Sequence, residues 1–270
     1  MNGAPPLAST GTVSSSVDGD IANVIFGHPK SNSLPASVLA ALSNEISSLG
    51  GRDDVRVIVL RSYGTGAFCA GASFDELAAV RDAGAGKEFF LGFARVILAM
   101  TRCAKPIIAR VHGKVVGGGV GVVAASDYAM ATNTAAIRLS ELAVGIGPFV
   151  VGPVIERKIG AAAFGAMALD AEWRDAEWGE RHGLYARVLE TAASLDQAVD
   201  KLAHTLARAN PDAVARIKSI AWSGIDNWPR LLDERAAMSG TLVLSPYAQA
   251  AIVRGAGSGK REAEGGTRPG

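Results

Sequence analysis

The chain has 270 residues, 49% of them hydrophobic and 20% charged, with a formal net charge of +1. That length suits one domain with a helical appendage, and the composition can build a substantial core. A balance so near neutral argues against the basic surface that binds nucleic acid, and with no run of about 18 uncharged apolar residues, no membrane-spanning helix is expected.

Residues 1–11 are small and polar with two prolines, and 255–270 open Gly-Ala-Gly-Ser-Gly; both are expected to be flexible tails. No basic stretch leads into an apolar one near residue 1, so no secretory signal is expected and a cytoplasmic protein is. Ser14–Val17 and Ile21–Phe26 flank Asp18-Gly19-Asp20, a hairpin signal. Pro35 marks a helix start, and Val38, Leu39, Leu42 and Ile46 recur at helical spacing. Val55–Leu60 reads as a buried strand, and a helix signal covers Phe74–Val80. Residues 88–103 read as a helix, Pro106–Val111 and Tyr128–Thr132 as strands. The second half is mostly helical, with helices expected at 149–159, 174–182, 195–209, 212–221, 229–239 and 245–254. Strands alternating with helices predict an α/β core over 12–200, followed by a C-terminal helical region over 201–254.

The most informative stretch is Lys114-Val-Val-Gly-Gly-Gly-Val-Gly121, in which an apolar run breaks into glycines and is followed by Val122–Ala125. Glycine lets another group approach the backbone. A strand that gives way to a helix there presents free N–H groups at a positive helix end, where a developing anion can be held. A second small-residue loop, Ala67-Phe-Cys-Ala-Gly-Ala72, follows Val55–Leu60. Side by side, the two loops could supply two converging N–H donors, or they could be two ordinary tight turns. Downstream, Glu141 stands alone among apolar neighbours in Leu139-Ser-Glu-Leu-Ala-Val-Gly-Ile-Gly-Pro148. It could be a charge at a helix start or a base in an apolar pocket.

The same glycines admit a rival reading. Gly119-Val-Gly-Val-Val-Ala124 fits a dinucleotide fingerprint, with Glu141 about 20 residues on. That acid should close the second strand of such a unit, yet Tyr128–Thr132 ends in Asn133 and Thr134. A nicotinamide-dependent oxidoreductase is therefore disfavoured. Two cysteines (Cys69, Cys103) and four histidines (His28, His112, His182, His204) lack metal-ligand spacing, so no metal is expected.

Taken in order, the motifs resemble the crotonase, or enoyl-CoA hydratase/isomerase, superfamily. The resemblance is carried by His28-Pro29 with Asn32-Ser33-Leu34, Val55–Leu60, Gly66–Ala72, Lys105–Gly113, Gly117–Gly119, Ser126-Asp127, Glu141–Pro148 and Gly183-Leu184. It implies a spiral of ββα units with a C-terminal helical region, packed as trimers or hexamers, and a substrate that is an acyl-CoA thioester, with no separate cofactor. It places the backbone oxyanion donors on Ala72 and Gly118 and the acid/base on Glu141, with Ala70, Gly71, Gly117, Gly119 and Gly121 around the substrate.

Departures from the family pattern narrow the chemistry. Family hydratases carry two glutamates, and the first falls on Gly121, which has no side chain. Ser140 stands in place of the usual proline before Glu141, and Ser73 in place of a frequent aspartate. One carboxylate can still move a proton between C2 and C4 of an enoyl thioester, so isomerisation is favoured over hydration, dehydration or decarboxylation. A silent acyl-CoA-binding member is a further alternative. Asp75 or Glu76 could restore a second carboxylate, and a Gly121→Glu change is expected to bring one toward the substrate. His112 is expected to make a structural hydrogen bond, Asp127 to be structural, and Cys69 to lack the basic neighbour a nucleophile needs. Arg138 could pair with Glu141 or serve a surface, and Trp173, Trp178, Trp222 and Trp228 read as packing or interface residues.

Overall fold

The computed structural model describes residues 7–254; the tail read at 255–270, and residues 1–6 of the tail read at 1–11, lie outside them. Strands β1 (Thr12–Asp18) and β2 (Ile21–Gly27) form the expected hairpin, antiparallel from Thr12 opposite Gly27 to Asp18 opposite Ile21. Gly19 takes φ 55° in the turn, a conformation side chains resist. Helix α1 (Ala36–Gly50) follows Pro35 and buries Val38, Leu39, Leu42, Ile46 and Leu49, the stripe that the helical spacing predicts. The chain continues through β3 (Val57–Ser62), α2 (Phe74–Ala79), α3 (Ala83–Arg102), β4 (Ile107–Val111), β5 (Val115–Val116), α4 (Gly118–Ala124), β6 (Tyr128–Thr132) and β7 (Ala136–Arg138). After a 3-10 turn at Leu142–Val144 come α5 (Gly152–Ile159), α6 (Ala161–Asp170), β8 (Arg174–Asp175), α7 (Ala176–Arg181) and β9 (Arg187–Leu189). The remaining helices are α8 (Ala192–Arg208), α9 (Pro211–Ala221), α10 (Trp228–Leu242) and α11 (Pro246–Arg254).

The strands build two sheets. The larger has the order β1-β2-β3-β4-β6-β9 and is parallel except for β1. The smaller has the order β5-β7-β8, and a bridge between Cys69 and Val115 extends it. The chain therefore visits them in turn: β3 then Cys69, β4 then β5, β6 then β7. Each of β3, β4 and β6 is followed by small-sheet pairing and then by a helical segment, which is the spiral of ββα units that the resemblance implies. Each circuit returns the chain to the same edge, and the loops that follow the small-sheet segments collect there.

One face of the large sheet packs against α1 and α3, and the other receives Leu195, Val199, Ala203 and Ala207 of α8. Each fully buried aliphatic side chain stabilises by about 1.5–3 kcal/mol. Helix α8 runs through residue 200, so the core and the C-terminal helices share it. Helix α10 crosses α3 with almost no space between backbones: a Cβ on Gly240 would stand 2.4 Å from Lys87 N, and one on Gly86 2.8 Å from Gly240 Cα. Lys87 and Asp233 form an ion pair at 2.8 Å across the same crossing.

Several boundaries differ from expectation for local reasons. Helix α3 opens at Ala83 rather than 88 because Asp82 caps it, accepting from Ala85 N at 2.8 Å. Helix α5 opens at Gly152 rather than 149 because a bond from Phe149 N to Gly147 O (2.7 Å) holds the preceding residues in a turn. The helix expected from 174 opens at Ala176, since Arg174–Asp175 pair with β7 and Asp175 caps α7. Strand β5 is the short strand expected before the glycines, whereas helix α6 and strands β7, β8 and β9 carry no signal in the sequence. No single helix among the described residues is long and apolar enough to cross a membrane.

Candidate active site

The two glycine loops lie side by side, as expected. Backbone bonds from Cys69 N to Lys114 O (3.2 Å) and from Val116 N to Cys69 O (2.9 Å) zip the first loop onto β5. Gly71 has φ 86°, and a Cβ there would stand 2.9 Å from Val116 O. Ala70-Gly71-Ala72 thus presses on the backbone that leads into Gly117. Ala72 forms a parallel bridge with Leu34, whose N–H donates to Gly71 O at 2.8 Å. In such a bridge the peptide groups flanking Ala72 face Leu34, so the Ala72 N–H points the other way.

Gly117 turns the chain with φ 53° and ψ −123°, and its N–H donates to Arg138 O at 2.8 Å. Helix α4 then opens at Gly118, whose N–H belongs to the first turn and has no partner within the helix. Glu141, at the head of the 3-10 turn, faces this point. Its Oε1 lies 3.0 Å and its Oε2 3.6 Å from where a Cβ on Gly117 would stand. Any side chain at 117 would therefore meet the carboxylate.

The environment of Glu141 sets its chemistry. The residue is half-buried, but its Oε2 is closed off from solvent and has no hydrogen-bond partner. Burial pushes the carboxyl up to about 7, against the smaller opposing effect of backbone hydrogen bonds. A carboxyl that titrates there can both take and return a proton at neutral pH. It opens onto a cavity of about 30 Å³ lined by Gly118, Phe93, Phe149, Val151 and Ser239, among others. Larger hollows of about 630 and 430 Å³ flank Trp222. They lack a buried carboxylate without partners, which is the feature that singles out the small one.

Of the residues predicted to form the site, this cavity brings Glu141 and Gly118 together, and Gly117 and Ala72 lie in the two adjoining loops. The faces of Gly118, Gly119 and Gly121 are all covered by protein. A Cβ on Gly119 would stand 2.7 Å from Cys69 Sγ, and one on Gly121 2.5 Å from Val151 Cγ1. The expectation that Gly121→Glu would simply bring in a carboxylate is corrected accordingly: Val151 fills that space. The two candidate substitutes are occupied elsewhere. Asp75 pairs with Lys30 at the surface, and Glu76 Oε2 accepts from Ala36 N at 2.7 Å. Ser73 caps α2 by accepting from Glu76 N at 3.4 Å.

Other singled-out residues resolve as follows. His112 does not make its expected hydrogen bond: both ring nitrogens are buried without partners, and the ring packs edge-on to Phe68 at 6.3 Å. Burial lowers its pKa to about 4, so it stays neutral. Asp127 is structural, accepting from Ile107 N at 2.7 Å and Trp222 Nε1 at 2.8 Å and pairing with buried Lys218 at 2.7 Å. Cys69 is buried, and its thiol is pushed up to about 12 by burial, so it is no nucleophile. Arg138 does not pair with Glu141; it donates to Ala171 O at 2.5 Å and sits over Trp173. Trp222 and Trp228 pack edge-to-face at 6.2 Å inside the core, while Trp173 is 41% exposed. Sequence reasoning missed Phe93, Phe149, Val151 and Ser239. An apolar residue announces burial, not which cavity it faces; only the turn signal Gly147-Pro148 marked their neighbourhood.

Comparison with known proteins agrees with this geometry. The chain is 33% identical over 131 residues to the (7aS)-7a-methyl-1,5-dioxo-2,3,5,6,7,7a-hexahydro-1H-indene-carboxyl-CoA hydrolase of Rhodococcus jostii, covering 48% of this chain and 50% of that one. It thus spans about half the length of that curated relative. It is 26% identical to the peroxisomal Delta(3,5)-Delta(2,4)-dienoyl-CoA isomerase of Arabidopsis thaliana, covering 75% of this chain and 77% of that one. Among solved structures, a putative enoyl-CoA hydratase from Mycobacterium avium paratuberculosis superposes with a TM-score of 0.81 at 25% identity, covering 92% of this chain and 97% of that one. The names differ in reaction but share the CoA ester. The family model described as enoyl-CoA hydratase/isomerase matches residues 17–249, and the chain belongs to that family, within the crotonase superfamily.

Proposed function

We propose that the protein carries out enolate chemistry on an acyl-CoA thioester, and that its principal reaction is double-bond isomerisation of an enoyl-CoA. In this reading the Ala72 and Gly118 N–H groups hold the thioester oxygen as it becomes an enolate. A donor aimed at charge that develops only in the transition state contributes about 3–4 kcal/mol. The Glu141 carboxylate takes a proton from C2 of a 3-enoyl ester, and the C–H electrons move into the conjugated enolate. The resulting carboxylic acid returns the proton to C4, which leaves the 2-enoyl ester and regenerates the base. Coenzyme A arrives as part of the substrate, and no other cofactor is needed. The same reading extends to assembly as a trimer or hexamer.

The observation that carries the isomerase preference is Val151 at Gly121. Adding water across a double bond is served by two carboxylates that position the water and shuttle its proton. Here the space beside Gly121 is apolar and filled, which leaves Glu141 as the carboxylate lining the cavity. Incubation with 3-enoyl-CoA and with crotonyl-CoA, followed by mass spectrometry, tests this. Isomerisation leaves mass unchanged and shifts retention, hydration adds one water, decarboxylation loses carbon dioxide, and hydrolysis frees coenzyme A. Conversion of the 3-enoyl ester should outpace hydration of crotonyl-CoA; rapid hydration would overturn the preference.

A further inference from the structure

The glycines around Glu141 give their space to other side chains of the protein. The Phe93 ring lies flush on Gly118, with Cε1 2.2 Å from where a Cβ would stand. Val151 lies on Gly121, and the Phe149 ring folds back on Gly147 with Cε1 at 2.3 Å from the Cβ position. What remains is the cavity of about 30 Å³, roughly the share of one water molecule in the liquid. Its walls on the α3 and α10 side are fixed. Phe93 stands on α3 and Ser239 on α10, and the two helices touch backbone to backbone at Gly86 and Gly240. They cannot move closer, and the Lys87–Asp233 pair resists their moving apart. Phe149 differs because it sits in the turn before α5, held by the 2.7 Å bond from its own N–H to Gly147 O.

An acyl group placed with its thioester oxygen at Gly118 and its C2 at Glu141 extends into this narrow cavity, between Phe93, Val151 and Phe149. We propose that the site selects short acyl chains, about two to four carbons, because the residual space holds only about one or two further heavy atoms, and that Phe149 is the residue that sets the limit. This rests on the placement of the reacting carbons described under the proposed function, but not on which reaction they undergo.

Binding of saturated esters separates the two claims, since butanoyl-, octanoyl- and dodecanoyl-CoA have no double bond to move. Calorimetry on the full chain should show butanoyl-CoA binding at least 10-fold tighter than octanoyl-CoA. Phe149→Ala, checked for folding by circular dichroism, should abolish or reverse that ratio, and Phe149→Leu should fall between. Wild type that binds octanoyl-CoA as tightly as butanoyl-CoA would overturn the length limit, whatever the variants do. A folded Phe149→Ala that keeps the wild-type ratio would overturn the role of Phe149. If no ester binds, the length proposal and the function both fail. If the ratio is as expected but no enoyl ester is turned over, the length limit stands and the isomerase reading falls.

Discussion

Val151 Cγ1 lies 2.5 Å from the point where a side chain on Gly121 would begin. These residues sit on successive circuits of the spiral, Gly121 in α4 and Val151 just before α5. Their contact decides what can be built beside Glu141. Gly121→Glu alone should be forced against Val151 and lose about 1–3 kcal/mol of stability, the usual cost of overpacking, without gaining hydration. Gly121→Glu combined with Val151→Gly should recover stability and add water to crotonyl-CoA. Denaturant unfolding and product masses read both outcomes.

The raised Glu141 carboxyl has a sign that can be checked. Its folded pKa is about 7, whereas an unfolded glutamate titrates near 4.3. Between these values the folded chain holds a proton that the unfolded chain has released, so stability should fall as pH rises through that window. Glu141→Gln should remove this slope and be more stable than wild type at pH 8. Turnover should move the other way, rising through about pH 7 as the base ionises. Chemical unfolding and initial rates across pH 5–8 measure the two trends.

Asp127 is tied to two distant segments, β4 through Ile107 and the end of α9 through Lys218 and Trp222. Asp127→Ala leaves the buried Lys218 ammonium without its counter-charge and should cost about 3–5 kcal/mol. Asp127→Ala with Lys218→Met should cost less than Asp127→Ala alone. Urea midpoints of the single and double variants test this.

The helical half exposes Leu169 at 76%, Ile220 at 74% and Ile217 at 68%. Such residues on well-formed helices suit a subunit interface. Light scattering at micromolar concentration should report a trimer or hexamer, and Ile217→Glu with Ile220→Glu should shift it toward monomer. A wild-type monomer would contradict the proposed assembly.

Much of the fold was legible because its signals are local. Asp18-Gly19-Asp20 set the hairpin, and Val38, Leu39, Leu42 and Ile46 set the buried stripe of α1. Helix α6 was not legible because Ala161-Ala-Ala-Phe-Gly-Ala-Met is small and apolar throughout, with no polar face to mark a period. Strand β8 has two residues, too short for an alternation to show. In the site, Glu141 and the glycine loops stood out as a carboxylate among apolar residues and as glycines after a strand. Val151 and Phe149 did not, because their meaning lies in which glycine each covers, and that follows from the spiral rather than from spacing.

In the proposed reaction Glu141 moves a proton on the carbon next to a CoA thioester. Incubating 3-enoyl-CoA with enzyme in deuterium oxide and following deuterium entry into the ester by mass spectrometry measures that step directly. Wild type should incorporate deuterium and accumulate the 2-enoyl isomer, and folded Glu141→Gln should do both about 10²–10⁴-fold more slowly, the range for losing a general base. A folded Glu141→Gln that exchanges and isomerises at the wild-type rate would contradict the account.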